Sequence, residues 1–276
     1  MPIIHQKETL TNQAKTNQAK TKTPYVPADR KFNVKFLLAG NSGSGKTQLP
    51  CTYTKGPVHF YMFDKGGIKT IDKLIHQQKR PTNAPITVDD FSNSSNSFSD
   101  FWTAYQEDEA NGFFEDLASK SGIAVFDSLT AANLRAIKEI CNKNAVTPAG
   151  IGKKANMKLG MAMPHWGQLL DWMQTLTASI QELPCAAIVT VHLHTLMNNQ
   201  QEVVARYPAV NGQFRQLLAV DFDEAYLLET KGGKFNINFR ERYKYEAKTR
   251  IFDMKESTDV SMDRIAEAYQ KFETKL

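Results

Sequence analysis

The stretch NVKFLLAGNSGSGKT, residues 33–47, constrains this chain more than any other: an apolar run breaks into a glycine-rich turn that closes on a lysine and a hydroxyl. Gly40, Gly45, Lys46 and Thr47 match the pattern G-x-x-x-x-G-K-[ST]. The apolar run reads as a buried strand, and the residues after the turn can begin a helix. In such a turn the backbone N–H groups of Ser42 to Thr47 point inward around a phosphate, and small residues let it come close. Gly40, Asn41, Ser42, Gly43, Ser44, Gly45, Lys46 and Thr47 are therefore the expected nucleotide cradle. Lys46 would set a point charge on the β- and γ-phosphates, and Thr47 would offer its hydroxyl to Mg²⁺. The guanine-reading N-K-x-D pattern is missing from the sequence, so ATP is the expected nucleotide. Pro50 falls about one turn into the following helix, where it cannot donate a backbone hydrogen bond, so a tight start or a kink is expected.

This chemistry needs a carboxylate at the end of a neighbouring strand to hold the water shell of the metal. Asp127, at the end of IAVFD, is the candidate, paired with Thr47 as the metal site. Asp64, at the end of FYMFD, has the same form and competes with it.

Four segments, at 33–40, 57–67, 122–130 and 185–194, read as buried strands separated by helical spacing. That alternation predicts an α/β fold with a mostly parallel sheet and helices on both faces. DEAYLLETKGGKFNINF reads as an antiparallel hairpin around Gly232 and Gly233, RYKYEAKTRIF as a further strand, and VSMDRIAEAYQKF as a closing helix. The serine-rich 85–100 reads as a connection, and 197–218 as a loop followed by a short helix. The Trp166, Leu169, Leu170, Trp172, Met173 and Leu176 stripe reads as core packing. Residues 1–30, with TNQAK twice, read as a disordered basic tail, 31–255 as the nucleotide-binding domain and 256–276 as a C-terminal helical segment.

Of the net charge of +5, residues 1–31 carry +4, so the body is close to neutral. Cys51, Cys141 and Cys185 lack metal-ligand spacing and read as reduced thiols. No apolar run reaches about 18 residues, and the first ten lack the apolar centre of a secretion signal. A cytoplasmic protein with no membrane partner is expected, in the host cytoplasm if phage-encoded.

AVFDSLT resembles the second nucleotide motif of RecA-like ATPases. With GNSGSGKT, FYMFDKGG, AAIVTVHLH, YPAVNGQF and YEAKTR in that order, residues 32–255 resemble the small RecA-like P-loop proteins of phages, a group that includes single-strand-annealing recombinases. The resemblance implies a RecA-like core in which the P-loop strand lies between two other parallel strands. It also implies self-association into a ring or filament and action on single-stranded DNA. By motif position, His192 becomes a polar sensor of the γ-phosphate, and Lys248 and Arg250 become cations offered to the nucleotide of a neighbouring subunit. RecA-like enzymes usually carry a glutamate just after the second strand to orient the attacking water. Here Lys65 and Gly66 stand in its place, which points to slow hydrolysis with Asp64 as the substitute.

Two segments could meet a polymer. Residues 140–170 hold Lys153, Lys154 and Lys158 with no acidic residue, and the loop after His192 holds Arg206, Tyr207 and Arg215. Two alternatives stand beside an ATPase acting on DNA. One is a nucleotide-gated assembly protein with negligible hydrolysis; the other is a small-molecule kinase, for which no arginine-rich lid segment is evident.

Overall fold

Residues 35–40, 58–62, 123–127 and 186–191 are buried at every position, the pattern of strands covered on both faces. The computed structural model describes residues 32–77, 81–93, 97–146, 160–212, 214–240, 245, 247–251 and 256–273. In chain order it runs β1 (Lys35–Gly40), α1 (Gln48–Cys51), β2 (Val58–Met62), α2 (Lys65–Gln77), β3 (Ile86–Asp90), α3 (Phe98–Ala110), α4 (Phe113–Ser119), β4 (Ile123–Asp127) and α5 (Leu129–Lys143). It continues α6 (Met163–Glu182), β5 (Ala186–Val191), β6 (Leu193–Met197), β7 (Val203–Pro208), α7 (Phe214–Asp221), β8 (Glu224–Lys231), β9 (Lys234–Asn238), β10 (Glu256–Thr258) and α8 (Met262–Glu273). The expected tail at 1–30 lies outside the described residues.

The main sheet has the order β10-β9-β8-β1-β5-β4-β2-β3. From β8 to β3 every pair is parallel, while β8, β9 and β10 are joined antiparallel. β1 lies between β5 and β8, both parallel to it, the placement that the motif resemblance implies. The chain leaves β1 toward β2 on one side and later returns to β8 on the other. The phosphate turn therefore sits where the strand order reverses, at the carboxyl ends of the strands.

Alternation along β1 builds two cores. Leu37 and Ala39 face one, with Phe101 of α3, Phe114 of α4, Ala132 of α5, Met173 of α6 and Leu218 of α7. Phe36 and Leu38 face the other, with Leu49 of α1, Ile71 of α2 and Ile265 of α8. Met173 and Leu176 are buried and Trp172 packs against the first core, as the stripe on α6 predicts. No described helix is long and apolar enough to cross a membrane.

Three readings change. Residues 86–90 form β3, paired with β2 alone at the sheet edge and only partly buried; the serines that follow mask a short β-branched segment. Residues 193–208 form the β6–β7 hairpin rather than a loop. The segment 240–251 shows, among its described residues, bridge positions at Tyr245 and Lys248, the latter paired with Ala225, in place of a strand. α1 is a single turn of four residues ending just after Pro50. The missing proline N–H falls among the first-turn donors that no helix satisfies internally.

Candidate functional site

The turn after β1 closes tightly. A Cβ on Gly40 would lie 2.4 Å from Ser44 Oγ and 2.5 Å from the Leu228 carbonyl oxygen, so only glycine lets the strand end so close to β8. Gly45 has φ of +90°, and a Cβ there would also meet the Phe235 ring at 2.8 Å. The β8–β9 hairpin thus packs against the turn, and Thr230 Oγ1 donates to the Gly43 carbonyl at 3.0 Å. Beside the turn opens a cleft of about 330 Å³ lined by Asn41, Ser42, Ser44, Leu193, Arg206 and Glu229, among others.

Lys46 is buried, and its Nζ donates to the carbonyls of Gly40 and Asn41, both at 2.8 Å. Burial pulls this ammonium down to about 8, against the opposing pull of Asp127 and Asp64. Thr47 Oγ1 donates to Asp127 Oδ2 at 2.6 Å, and the Thr190 hydroxyl donates to the other oxygen. Burial raises the Asp127 carboxyl above the usual carboxylate range, opposed by the two hydroxyls and Lys46. A hydroxyl, a carboxylate and a buried ammonium converging beside a glycine-rich turn are side chains of the kind a magnesium–polyphosphate requires.

Asp64 stands two residues past β2 and is half exposed. His192 Nε2 lies 3.6 Å from its Oδ2, and the Gly66 N–H donates to Oδ1 at 2.9 Å. The His192 imidazole, followed by that N–H, holds the Asp64 carboxyl below its ordinary value. The His192 backbone is fixed in turn: its N–H donates to Thr130 Oγ1 at 3.0 Å, and its carbonyl accepts from Ala209 N–H at 2.7 Å. Lys46, Thr47, Asp64, Asp127 and His192 therefore gather at one end of the sheet.

Other candidates lie elsewhere. Lys248 bridges to Ala225, which pairs with Leu37 well before the end of β1. Its Nζ donates to the Val220 carbonyl at 3.0 Å, and burial lowers its pKa, helped by Arg250. Arg250 is exposed, with NH1 3.6 Å from Asp223 Oδ1. Both line a separate cleft of about 460 Å³ with Phe239 and Ile251; within one chain they do not join the turn. Arg206 is committed to Glu229, 2.5 Å away, whose second oxygen accepts from Asn238 at 3.1 Å. Arg215 is exposed and lies over the Tyr207 ring at 5.0 Å. Lys153, Lys154 and Lys158 lie outside the described residues.

The sequence reading passed over Thr190, Thr130 and Glu229. Thr190 had a usable signal: it is the one polar residue within AAIVTV, and a buried hydroxyl in an apolar strand needs a partner. Thr130 and Glu229 had none, because their partners are distant in sequence.

A family profile described as an AAA domain matches residues 32–251. No curated protein matches the chain at a significant level. Among solved structures, the chain is similar to a KaiC-like protein from the hyperthermophilic archaeon Pyrococcus horikoshii OT3, at 13% identity over 82% of this chain and 84% of that one, with a TM-score of 0.43. It is also similar to a prototypical ATPase from the type III secretion system of pathogenic bacteria, at 15% identity over 72% of this chain and 52% of that one, with a TM-score of 0.42.

Proposed function

The chain belongs to the AAA domain family, and on that premise we propose that it binds Mg·ATP at residues 40–47 and hydrolyses it slowly, in an assembly that engages single-stranded DNA. One observation carries the nucleotide reading: the Thr47 hydroxyl sits on the Asp127 carboxylate at 2.6 Å beside the buried Lys46 ammonium. Thr47 and Asp127 would hold the metal, which when bound supplies positive charge against the β- and γ-phosphates. The turn amides bind the phosphates. Lys46 gives up the Gly40 and Asn41 carbonyls for phosphate oxygens, which restore the charge that burial disfavours.

Hydrolysis is slow because the first turn of α2 offers no acid to orient water. Gly67 there has no space for a side chain: a Cβ would lie 2.6 Å from Met62 Sδ and 3.3 Å from Asp127 Oδ2. Asp64 is the substitute, kept ionised by His192 and the Gly66 N–H, and it accepts the proton of the attacking water. His192 links this carboxylate to the β6–β7 hairpin, which begins one residue later. Tyr207 on β7 of that hairpin and Arg215 on α7 just beyond it support a backbone-and-stacking contact with single-stranded DNA. The exposure of Arg250 supports its role as a cation reaching the nucleotide of the next subunit. The host-phage setting and recombination role rest on the motif resemblance alone.

The same vacant acid position favours a second reading, in which nucleotide gates assembly with no turnover. Calorimetry with Mg·ATP, phosphate release with and without single-stranded DNA, and light scattering with a non-hydrolysable analogue separate the two. DNA-stimulated phosphate release that disappears in Lys46→Ala supports the ATPase. Analogue-dependent assembly with no phosphate release supports the gate, and an absence of Mg·ATP uptake rejects both.

A further inference from the structure

At the other end of β2 a second set of ligating side chains converges. His59 is the second residue of β2, three residues before Met62, which pairs with Asp127. It lies roughly 10 Å along the strand from the nucleotide end. Across the ladder, Thr87 pairs with His59 and Asp89 with Tyr61, so Thr87 and Asp89 fall on the same face as His59. Asp108 of α3 reaches the same point. One ligand atom from each of His59, Asp89 and Asp108 lies within 4.8 Å of the other two.

The imidazole is the informative group. His59 is 95% buried, its residue exposure being 5%. Its Nε2 is enclosed and has no hydrogen-bond partner. It points at Asp89 Oδ2 from 3.5 Å, beyond hydrogen-bond geometry. An orphaned buried nitrogen costs about 1–3 kcal/mol unless something else satisfies it. Nδ1 is already engaged, 2.8 Å from Thr87 Oγ1. When Nδ1–H donates there, the Nε2 lone pair faces the carboxylates. The ring is clamped edge-on by Tyr61 at 4.7 Å and Phe113 at 4.8 Å. Asp108 is oriented as well, accepting from Tyr61 OH at 2.5 Å. Metal-bound histidines characteristically show such outer support: the second nitrogen committed, and the carboxylates held by their own partners. Among the described residues, neither carboxylate has a lysine or arginine partner.

We propose that His59, Asp89 and Asp108 form a binding site for a divalent transition-metal ion of the zinc class, separate from the nucleotide site. Tetrahedral bonds of about 2.1 Å put neighbouring ligand atoms about 3.4 Å apart, close to the 3.5 Å between His59 Nε2 and Asp89 Oδ2. Octahedral oxygen sites of the magnesium kind need shorter edges and do not favour imidazole. Asp89 is 45% exposed, which leaves an open side for water as the fourth ligand. The ion would tie β2, the edge strand β3 and α3 together.

The test uses the full chain, stripped with chelator, then titrated with Zn²⁺ in excess Mg²⁺ so that the phosphate-loop site is already competed for. One Zn²⁺ per chain is expected by calorimetry and elemental analysis, with a higher melting temperature. Co²⁺ should give the visible absorption of a tetrahedral centre. Asp89→Asn and Asp108→Asn should each weaken Zn²⁺ binding at least tenfold while leaving Mg·ATP binding unchanged. His59→Ala risks the fold, so the partly exposed Asp89→Asn is the deciding variant. Zn²⁺ bound equally well by the wild type and both Asp variants would lie elsewhere and overturn the proposal, as would an absence of stoichiometric uptake by the wild type.

Discussion

Two buried lysines mark the two ends of the first strand, and they look alike until their neighbours are compared. Lys35 opens β1 and Lys46 closes the turn after it. Both are buried, and burial holds both ammonium groups down to about 8. Both are capped by carbonyls: Lys35 Nζ donates to those of Leu183 and Cys185, each at 2.9 Å, and Lys46 Nζ to those of Gly40 and Asn41. Lys35 also contacts the Asn33 side chain, and the Asp223 carboxylate accepts its backbone N–H at 3.0 Å. It joins β1 to the loops before β5 and β8 and, among the described residues, faces no converging set of metal ligands. Lys46 adds a glycine turn, Thr47 and Asp127. A displaced pKa therefore flags either a strut or a site, and only the convergence of other donors separates them.

The largest test of that comparison is a pair of substitutions. Lys46→Ala should weaken Mg·ATP binding about 1,000-fold, because two charge-assisted contacts at roughly 2 kcal/mol each are lost. Lys35→Met should leave the nucleotide Kd unchanged and lower stability, since it strands two buried carbonyls. Calorimetry and urea denaturation read the two outcomes. A nucleotide effect from Lys35→Met would erase the distinction.

The next effect is in pH. Each lysine titrates near 8 when folded and near 10.5 when unfolded. Below about pH 8 both states are charged and the burial penalty is felt in full. As pH rises toward 10.5 the unfolded chain binds more protons, so stability rises, by on the order of 3 kcal/mol per lysine. Cys185 works in the opposite direction, its buried thiol being pushed up to about 11. The Lys46 share is therefore read as the difference between wild type and Lys46→Met in urea titrations. Saturating Mg·ATP should abolish that share in the wild type, because bound phosphates keep Lys46 charged, while the Lys35 share persists.

The chain order of the site was legible because local rules fix it. A glycine pattern after an apolar run determines the turn, and apolar runs ending in acid gave both Asp64 and Asp127. What sequence could not supply was long-range pairing. Nothing near residue 64 says that His192 will face it, since β2 and β5 meet only through β4. The β6–β7 hairpin was hidden because NNQQ and the polar flanks read as loop, while its pairing supplies the order. β3 was hidden by the serines after it. Lys248 and Arg250 were placed by motif, and their remoteness from the turn became visible only through the register of β8 with β1.

The third test concerns that unreadable pair. If Asp64 accepts the proton of water, Asp64→Asn should lower turnover about 100-fold, some 2.7 kcal/mol. Mg·ATP affinity should be unchanged, because Asp64 touches neither Thr47 nor the turn amides. Phosphate-release assays at saturating ATP decide it. Equal turnover in wild type and variant would leave His192 and Asp64 as packing partners, on the Lys35 side of the comparison.

The smallest effect probes the acid that two hydroxyls hold at the Lys46 end. Thr190 donates to one Asp127 oxygen and Thr47 to the other, so the two hydroxyls fix the carboxyl and oppose the upward push of its burial. Thr190→Val keeps the shape and removes one hydroxyl, which costs about 1 kcal/mol of support for the charged carboxylate. The Mg²⁺ concentration for half-maximal ATP binding should rise roughly fivefold, with ATP binding at saturating Mg²⁺ preserved. Because the loss falls on the metal rather than on the phosphates, Thr190→Val and Lys46→Ala should act independently in Mg²⁺ titrations. A Thr190→Val chain with unchanged Mg²⁺ demand would mean that Asp127 is held by Thr47 alone.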